Sequence, residues 1–290
     1  MRILITGASG QLGAYLIDEA IRRGHEPIAW SGSDAGSRSG VPLTPVDLTE
    51  PDLVASALDD TQPDLILHAA ALSSADAVRL DPAKATRINV DATRALAGWS
   101  TRHGRPIVFT STDLVFDGSK PWNREDDPAR PLLGYGRTKL DAEAAVLDSP
   151  RGLVARLPLL YGLSKSGRPD FFSKAIDALR AGEPRAFFVD EFRTPLDFAT
   201  AARLLVRLGK VGASGLVHVA GAERVSRFDL MRRAAAALGL DPSLVREGRM
   251  AEVAWLEPRP ADVSLATDRL LGLLPDAGRP TIEQALRIHA

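Results

Sequence analysis

Ile3-Leu4-Ile5-Thr6-Gly7-Ala8-Ser9-Gly10-Gln11-Leu12-Gly13 decides the fold. The apolar run that ends in turn residues reads as a short strand buried on both faces. Apolar positions then recur at Leu12, Tyr15, Leu16 and Ile21, one face of a helix that Gly24 stops. Between them stands Gly-x-x-Gly-x-x-Gly. Gly7 permits a tight turn, Gly10 lets backbone amides approach a pyrophosphate, and Gly13 lets the helix pack close to the sheet. The positive end of the helix then faces the phosphates. The turn, with Ser9, Gln11 and Leu12 among its glycines, therefore predicts a dinucleotide site. An ordinary glycine turn is the plainer alternative, and the strand before and helix after weigh against it.

Outward from this turn the pattern repeats. Strands are predicted over 27–30, 42–46, 65–67, 106–110 and 153–157, and helices over 50–58, about 82–103 and 134–147. Residues 31–40, rich in Ser and Gly, read as a loop. Short buried strands alternating with helices mean βαβ units, hence an α/β fold with a Rossmann-type doubly wound parallel sheet. After about Leu160 the alternation loosens. Helices are expected at 171–180, 198–208, 227–238 and 282–289, with strands at 186–189 and 216–219. The reading is a cofactor-binding domain over 1–160 and a smaller C-terminal α/β substrate lobe over 161–290, some of whose elements return to the first domain.

Composition narrows the functions. Thirty-six basic against 37 acidic residues leave a net charge of −1, so no global field favours nucleic acid or an anionic membrane. Cysteine is absent, which excludes disulfides, thiolate catalysis and cysteine-ligated metals. No histidine spacing suggests a catalytic metal. No apolar run reaches the ~18–20 residues of a membrane span, and the start leaves no room for a signal peptide. A soluble cytoplasmic protein is the expectation.

The second strand ends in Trp30-Ser31-Gly32-Ser33 with Arg38 downstream, and no carboxylate stands at the strand end where an NAD site usually has one. Ser31, Ser33 and Arg38 could donate to a 2′-phosphate, which favours NADP and leaves NAD as the alternative. Asp47 and Leu48 could flank the adenine. Tyr135 and Lys139 lie one turn apart on one helix face. An ammonium near a phenol favours the phenolate and lowers its pKa, which suits proton delivery to a carbonyl under reduction. Ser111 and Thr112 leave the carboxyl end of the fifth strand, where either hydroxyl could meet a substrate carbonyl.

Together with Ser111-Thr112-Asp113-Leu114-Val115-Phe116-Asp117-Gly118, Tyr135-Gly136-Arg137-Thr138-Lys139, Arg193-Thr194-Pro195 and the segment from Arg259 to Leu265, these residues resemble the extended short-chain dehydrogenase/reductase family, in particular the dTDP-4-dehydrorhamnose reductases and their relatives. The resemblance implies that Thr112 polarises the substrate carbonyl and Tyr135 donates the proton. Lys139 binds the nicotinamide ribose and depresses the tyrosine pKa. It implies too that Asn89 supports the lysine through backbone and water contacts, against the simpler reading of a polar residue within a helix. The implied substrate is a nucleotide sugar and the reaction NADPH-dependent reduction of a keto group, with a homodimer left open.

Three departures from the family pattern matter. His68-Ala69-Ala70 stands where Asn-Ala-Ala is usual, altering a cofactor-side contact. Leu114 replaces an aromatic, and also the glutamate of the sugar-nucleotide dehydratases, so dehydration is not expected. Leu159 falls where a tryptophan often faces the sugar. Arg193 and Arg259 are candidates for a substrate diphosphate, which guanidinium grips bidentately. Two other readings stand beside the reductase: a non-catalytic cofactor-binding subunit resembling the regulatory subunit of methionine adenosyltransferase, and a related reductase or epimerase with another substrate.

Overall fold

A computed structural model describes residues 1–289. The first half runs β1 (Arg2–Thr6), α1 (Gln11–Arg22), β2 (Glu26–Ser31), β3 (Gly36–Arg38), β4 (Val41–Pro45), α2 (Pro51–Thr61), β5 (Leu65–His68), α3 (Ala75–Leu80), α4 (Pro82–Thr86), α5 (Ala92–His103), β6 (Ile107–Thr112), α6 (Gly134–Leu147) and β7 (Gly152–Leu157). Then follow β8 (Leu160–Tyr161), α7 (Phe171–Arg180), β9 (Arg185–Phe188), β10 (Phe192–Arg193), β11 (Leu196–Asp197), α8 (Phe198–Lys210), β12 (Gly215–His218), β13 (Val225–Ser226), α9 (Arg227–Ala237), β14 (Val245–Gly248), α10 (Asp268–Leu273) and α11 (Ile282–His289). None of these helices is long and apolar enough to cross a membrane.

Eight strands form the main sheet in the order β12-β7-β6-β5-β1-β2-β4-β3, all parallel except the edge strand β3. The strand period of two sends β1 side chains to both faces. Ile3 and Ile5 join a core with Leu16, Leu67, Leu204 and Leu208, whereas Leu4 joins another with Val54, Leu96, Trp99 and Val146. Helices cover both faces, which makes the sheet doubly wound. A further core of Phe172, Ile176, Phe187, Leu230, Met231 and Leu286 ties α7, α9, α11 and the β9–β14 pair together.

The chain leaves β1 toward β2 and β4 on one side and returns to β5, β6 and β7 on the other. That reversal opens a crevice beyond the carboxyl ends of the strands, the place where ligands bind in such sheets.

Two local expectations need correction. The 31–40 loop contains β3, joined to β4 by a two-residue hairpin in which Ser39 (φ 48°) and Gly40 (φ 80°) both take positive φ. The three-residue strand is mostly exposed and carries no apolar alternation to reveal it. The long helix expected over about 82–103 is interrupted by a π-helical turn, Arg87–Asp91, between α4 and α5.

Candidate active site

The ends of β1, β2, β5, β6 and β7 open into one cavity of about 1020 Å³. Gly7, Ser9, Gly10, Gln11, Leu12, Ser31, Asp47, Leu48, Ala69, Ala70, Ser111, Thr112, Tyr135, Lys139 and Arg193 all line it. Ser33, Arg38, His68, Asn89 and Arg259 are not in its lining.

The glycine turn has the shape that a pyrophosphate needs. Gly7 sits at φ 68°, and a Cβ there would come within 2.8 Å of the Ala70 backbone. A Cβ on Gly13 would lie 2.2 Å from the Gly7 carbonyl, so α1 could not approach the turn with any larger residue. No side chain caps the start of α1 at Gly10. Its first amides are therefore available to an anion.

His68 is fully buried between β1 and α5. Thr93 donates to the Asn89 carbonyl (2.7 Å) and so accepts from His68 Nε2 (2.9 Å), which leaves Nδ1 to accept from Thr6 Oγ1 (2.7 Å). Burial, aided by the Lys139 charge, pushes its pKa down to about 3, so the neutral ring links β1 to α5 and stays outside the cavity lining. Asn89, in the π-helical turn, accepts from Leu72 N (2.8 Å) and donates to Leu72 O (3.1 Å) and Thr138 Oγ1 (2.9 Å). It thus fixes a cavity-lining loop residue through its backbone, and Thr138, the neighbour of Lys139. The Arg38 guanidinium donates to the carbonyls of Lys165 (3.0 Å) and Ser166. The Arg259 guanidinium lies 4.9 Å from the Trp255 ring centroid.

Lys139 is 1% exposed, with its ammonium 4.0 Å from the Phe109 ring centroid. Burial pushes its pKa down to about 7, although Glu143 pulls the other way. Tyr135 departs from expectation. Burial raises its phenol well above the ordinary value, and the Asp113 carboxylate raises it further, because both disfavour the phenolate. The proton is held rather than shed.

Lys139 makes stability depend on pH. Between about pH 7 and about pH 10 an unfolded lysine keeps a proton that the buried one releases. Raising pH through that window therefore favours the folded state, and the burial penalty is fully present only below about pH 7. Urea unfolding should show the stability gap between Lys139→Met and wild type narrowing from pH 7 to pH 9.5.

Thr112 donates to Asp113 Oδ1 (3.2 Å) and accepts from Leu114 N (3.2 Å). Ser111 donates to Glu143 Oε1 (2.5 Å), and Glu143 also takes both Nε (2.9 Å) and Nη2 (2.7 Å) of Arg156. Arg193 is held by Asp113 (2.9 Å) and Glu191 (2.8 Å), and Arg227 by Glu191 (3.1 Å). Asp113, Lys174 and Arg227 in the lining were not expected from sequence, nor was Arg168, whose default was a solvated surface, nor Glu143, which holds Ser111. Glu143 had a signal, since it falls four residues after Lys139 on the same helix face.

The sequence matches the RmlD substrate binding domain family over residues 1–285. The chain belongs to that family. A probable dTDP-4,6-dihydroxy-2-methyloxan-3-one 4-ketoreductase of Streptomyces antibioticus is 33% identical over 276 residues, 94% of this chain and 89% of that protein. Methionine adenosyltransferase 2 subunit beta of Pongo abelii is 32% identical over 253 residues, 84% of this chain and 74% of that protein. The crystal structure of a dTDP-4-dehydrorhamnose reductase from Clostridium acetobutylicum superposes with a TM-score of 0.87 at 25% identity, over 100% of this chain and 98% of that one. By family and fold this chain is of the reductase type.

Proposed function

We propose that the protein is an NADPH-dependent reductase acting on the 4-keto group of a nucleotide-linked deoxysugar. The observation that supports this most is that the glycine turn, Thr112, Tyr135 and Lys139 line one cavity at the switch point of the sheet. Gly7, Gly10 and the first amides of α1 hold the pyrophosphate, Ser31 stands at the ribose end, and Asp47 and Leu48 flank the adenine. When bound, NADPH supplies the hydride. Tyr135, still protonated, gives its proton to the oxygen as negative charge develops there. Thr112 turns its hydroxyl from Asp113 to the same oxygen. Lys139 places a partly charged amine beside the nicotinamide ribose.

Residues 1–160 chiefly carry the cofactor in this reading and residues 161–290 the substrate. Lys174, Arg193 and Arg227 bring cationic groups to the second wall of the cavity, which suits a substrate with a diphosphate. Arg193 is locked between Asp113 and Glu191, which neutralise its charge, leaving Arg227 and Lys174 freer to meet phosphate oxygens. Leu114 and Leu159 line the cavity as well. They offer the sugar an aliphatic surface, and Leu114 supplies no group to move a proton for dehydration.

Mixing the purified protein with NADPH and a dTDP-4-dehydro-6-deoxy sugar should oxidise the cofactor. A second reading, a partner subunit without turnover, draws on the likeness to methionine adenosyltransferase 2 subunit beta. It expects no oxidation across a panel of nucleotide-linked keto sugars, and that result would overturn the reductase assignment.

A further inference from the structure

The segment between β8 and α7 is strapped onto α1 and the edge strand β3 with the turn before it. Tyr15 donates to the Leu163 carbonyl (2.8 Å). Gln11 Oε1 accepts from the amides of Lys165 and Ser166 (both 2.9 Å), while its Nε2 donates to Asp170 (2.8 Å). The Lys165 ammonium pairs with Asp18, and Arg38 in β3 holds the carbonyls of residues 165 and 166. So fastened, the strap places Arg168 in the cavity lining with Ser31 and Gly32, the end of β2. Its guanidinium pairs with Asp34 in the turn that follows, and Asp34 itself is not in the lining.

In a doubly wound sheet the end of β2 meets the adenine-side ribose, and an arginine near it accommodates a 2′-phosphate. Arg38 is poorly placed for this, since both its terminal amines are engaged by strap carbonyls outside the cavity. We infer that Arg168 is the residue that recognises the 2′-phosphate, exchanging Asp34 for it, with Arg38 acting as the anchor that presents it. The Arg168 and Asp34 side chains are 57% and 39% exposed. An ion pair this exposed is weakly held and is readily given up for a phosphate that accepts two parallel hydrogen bonds. This inference rests on the cofactor reading above and adds the source of its NADP preference.

The test is equilibrium binding by calorimetry, with adenosine 2′,5′-bisphosphate and AMP as probes beside NADP⁺ and NAD⁺. Wild type should bind the bisphosphate at least about tenfold more tightly than AMP, the scale of one charge-assisted contact. Arg168→Ala should lose most of that discrimination while its AMP affinity stays at the wild-type level, and Arg168→Lys should keep part of it. Full discrimination in Arg168→Ala would overturn the inference, as would none in wild type. An equal loss for both probes would also overturn it, since Arg168 would then merely hold the strap. Failure of wild type to bind any of the four nucleotides would instead remove the cofactor reading beneath it.

Discussion

Tyr135→Phe is expected to lower kcat by about 10²–10⁴-fold, the range that a positioned proton donor contributes, and to leave NADPH affinity nearly unchanged. The change deletes one oxygen and keeps the ring that packs at the start of α6. That oxygen matters because burial and the Asp113 charge keep it protonated. Without it the developing alkoxide has only the Thr112 hydroxyl, whose proton is shared with Asp113. The loss should therefore fall on kcat rather than on the KM for either substrate. Steady-state kinetics with NADPH and the keto sugar measure it, and wild-type turnover in the variant contradicts the role.

Glu143→Ala is expected to destabilise the fold by about 3–5 kcal/mol, the cost of leaving a buried charge without its partner. Glu143 and Arg156 have side chains only 3% and 4% exposed, and the carboxylate takes two hydrogen bonds from the guanidinium and a third from Ser111. Removing it strands Arg156 against the Phe116 ring with no counter-ion. Replacing both members, as Glu143→Leu with Arg156→Met, should recover much of the loss, because well-packed apolar residues substitute for buried ion pairs at little cost. Urea unfolding of the three chains decides it. A single variant within about 1 kcal/mol of wild type, the worth of an exposed pair, would show that the pair is not truly desolvated.

The fold was legible because its signals are local. Buried parallel strands such as Ile3-Leu4-Ile5 and Leu65-Ile66-Leu67 are short apolar runs, and glycines mark where they turn. The helix carrying Tyr135 and Lys139 was readable to its ends, Gly134–Leu147. What escaped was set by distant residues. The strand β8 is only Leu160–Tyr161 and exists through its pairing with β11, 36 residues later in register. His68 stands where the family contacts the cofactor, and only the folded chain shows Thr6 and Thr93 taking both of its ring nitrogens. Arg38 had the right charge near the right strand, yet the carbonyls of Lys165 and Ser166 take its guanidinium, and Arg168 lines the cavity instead. The expected fall in the Tyr135 pKa failed for a related reason. Spacing gives proximity to Lys139, but burial, which spacing does not report, governs both groups.

A nicotinamide and a sugar carbonyl held in one cavity would exchange hydride without solvent, and isotope transfer reads that step. NADPH carrying deuterium on the transferable C4 position of its nicotinamide ring is incubated with the dTDP-4-dehydro-6-deoxy sugar, and the product is read by mass spectrometry and NMR. One deuterium is expected on carbon 4 of the sugar, bound to the new alcohol carbon. Cofactor oxidation with no label in the sugar, or label at another carbon, would contradict it.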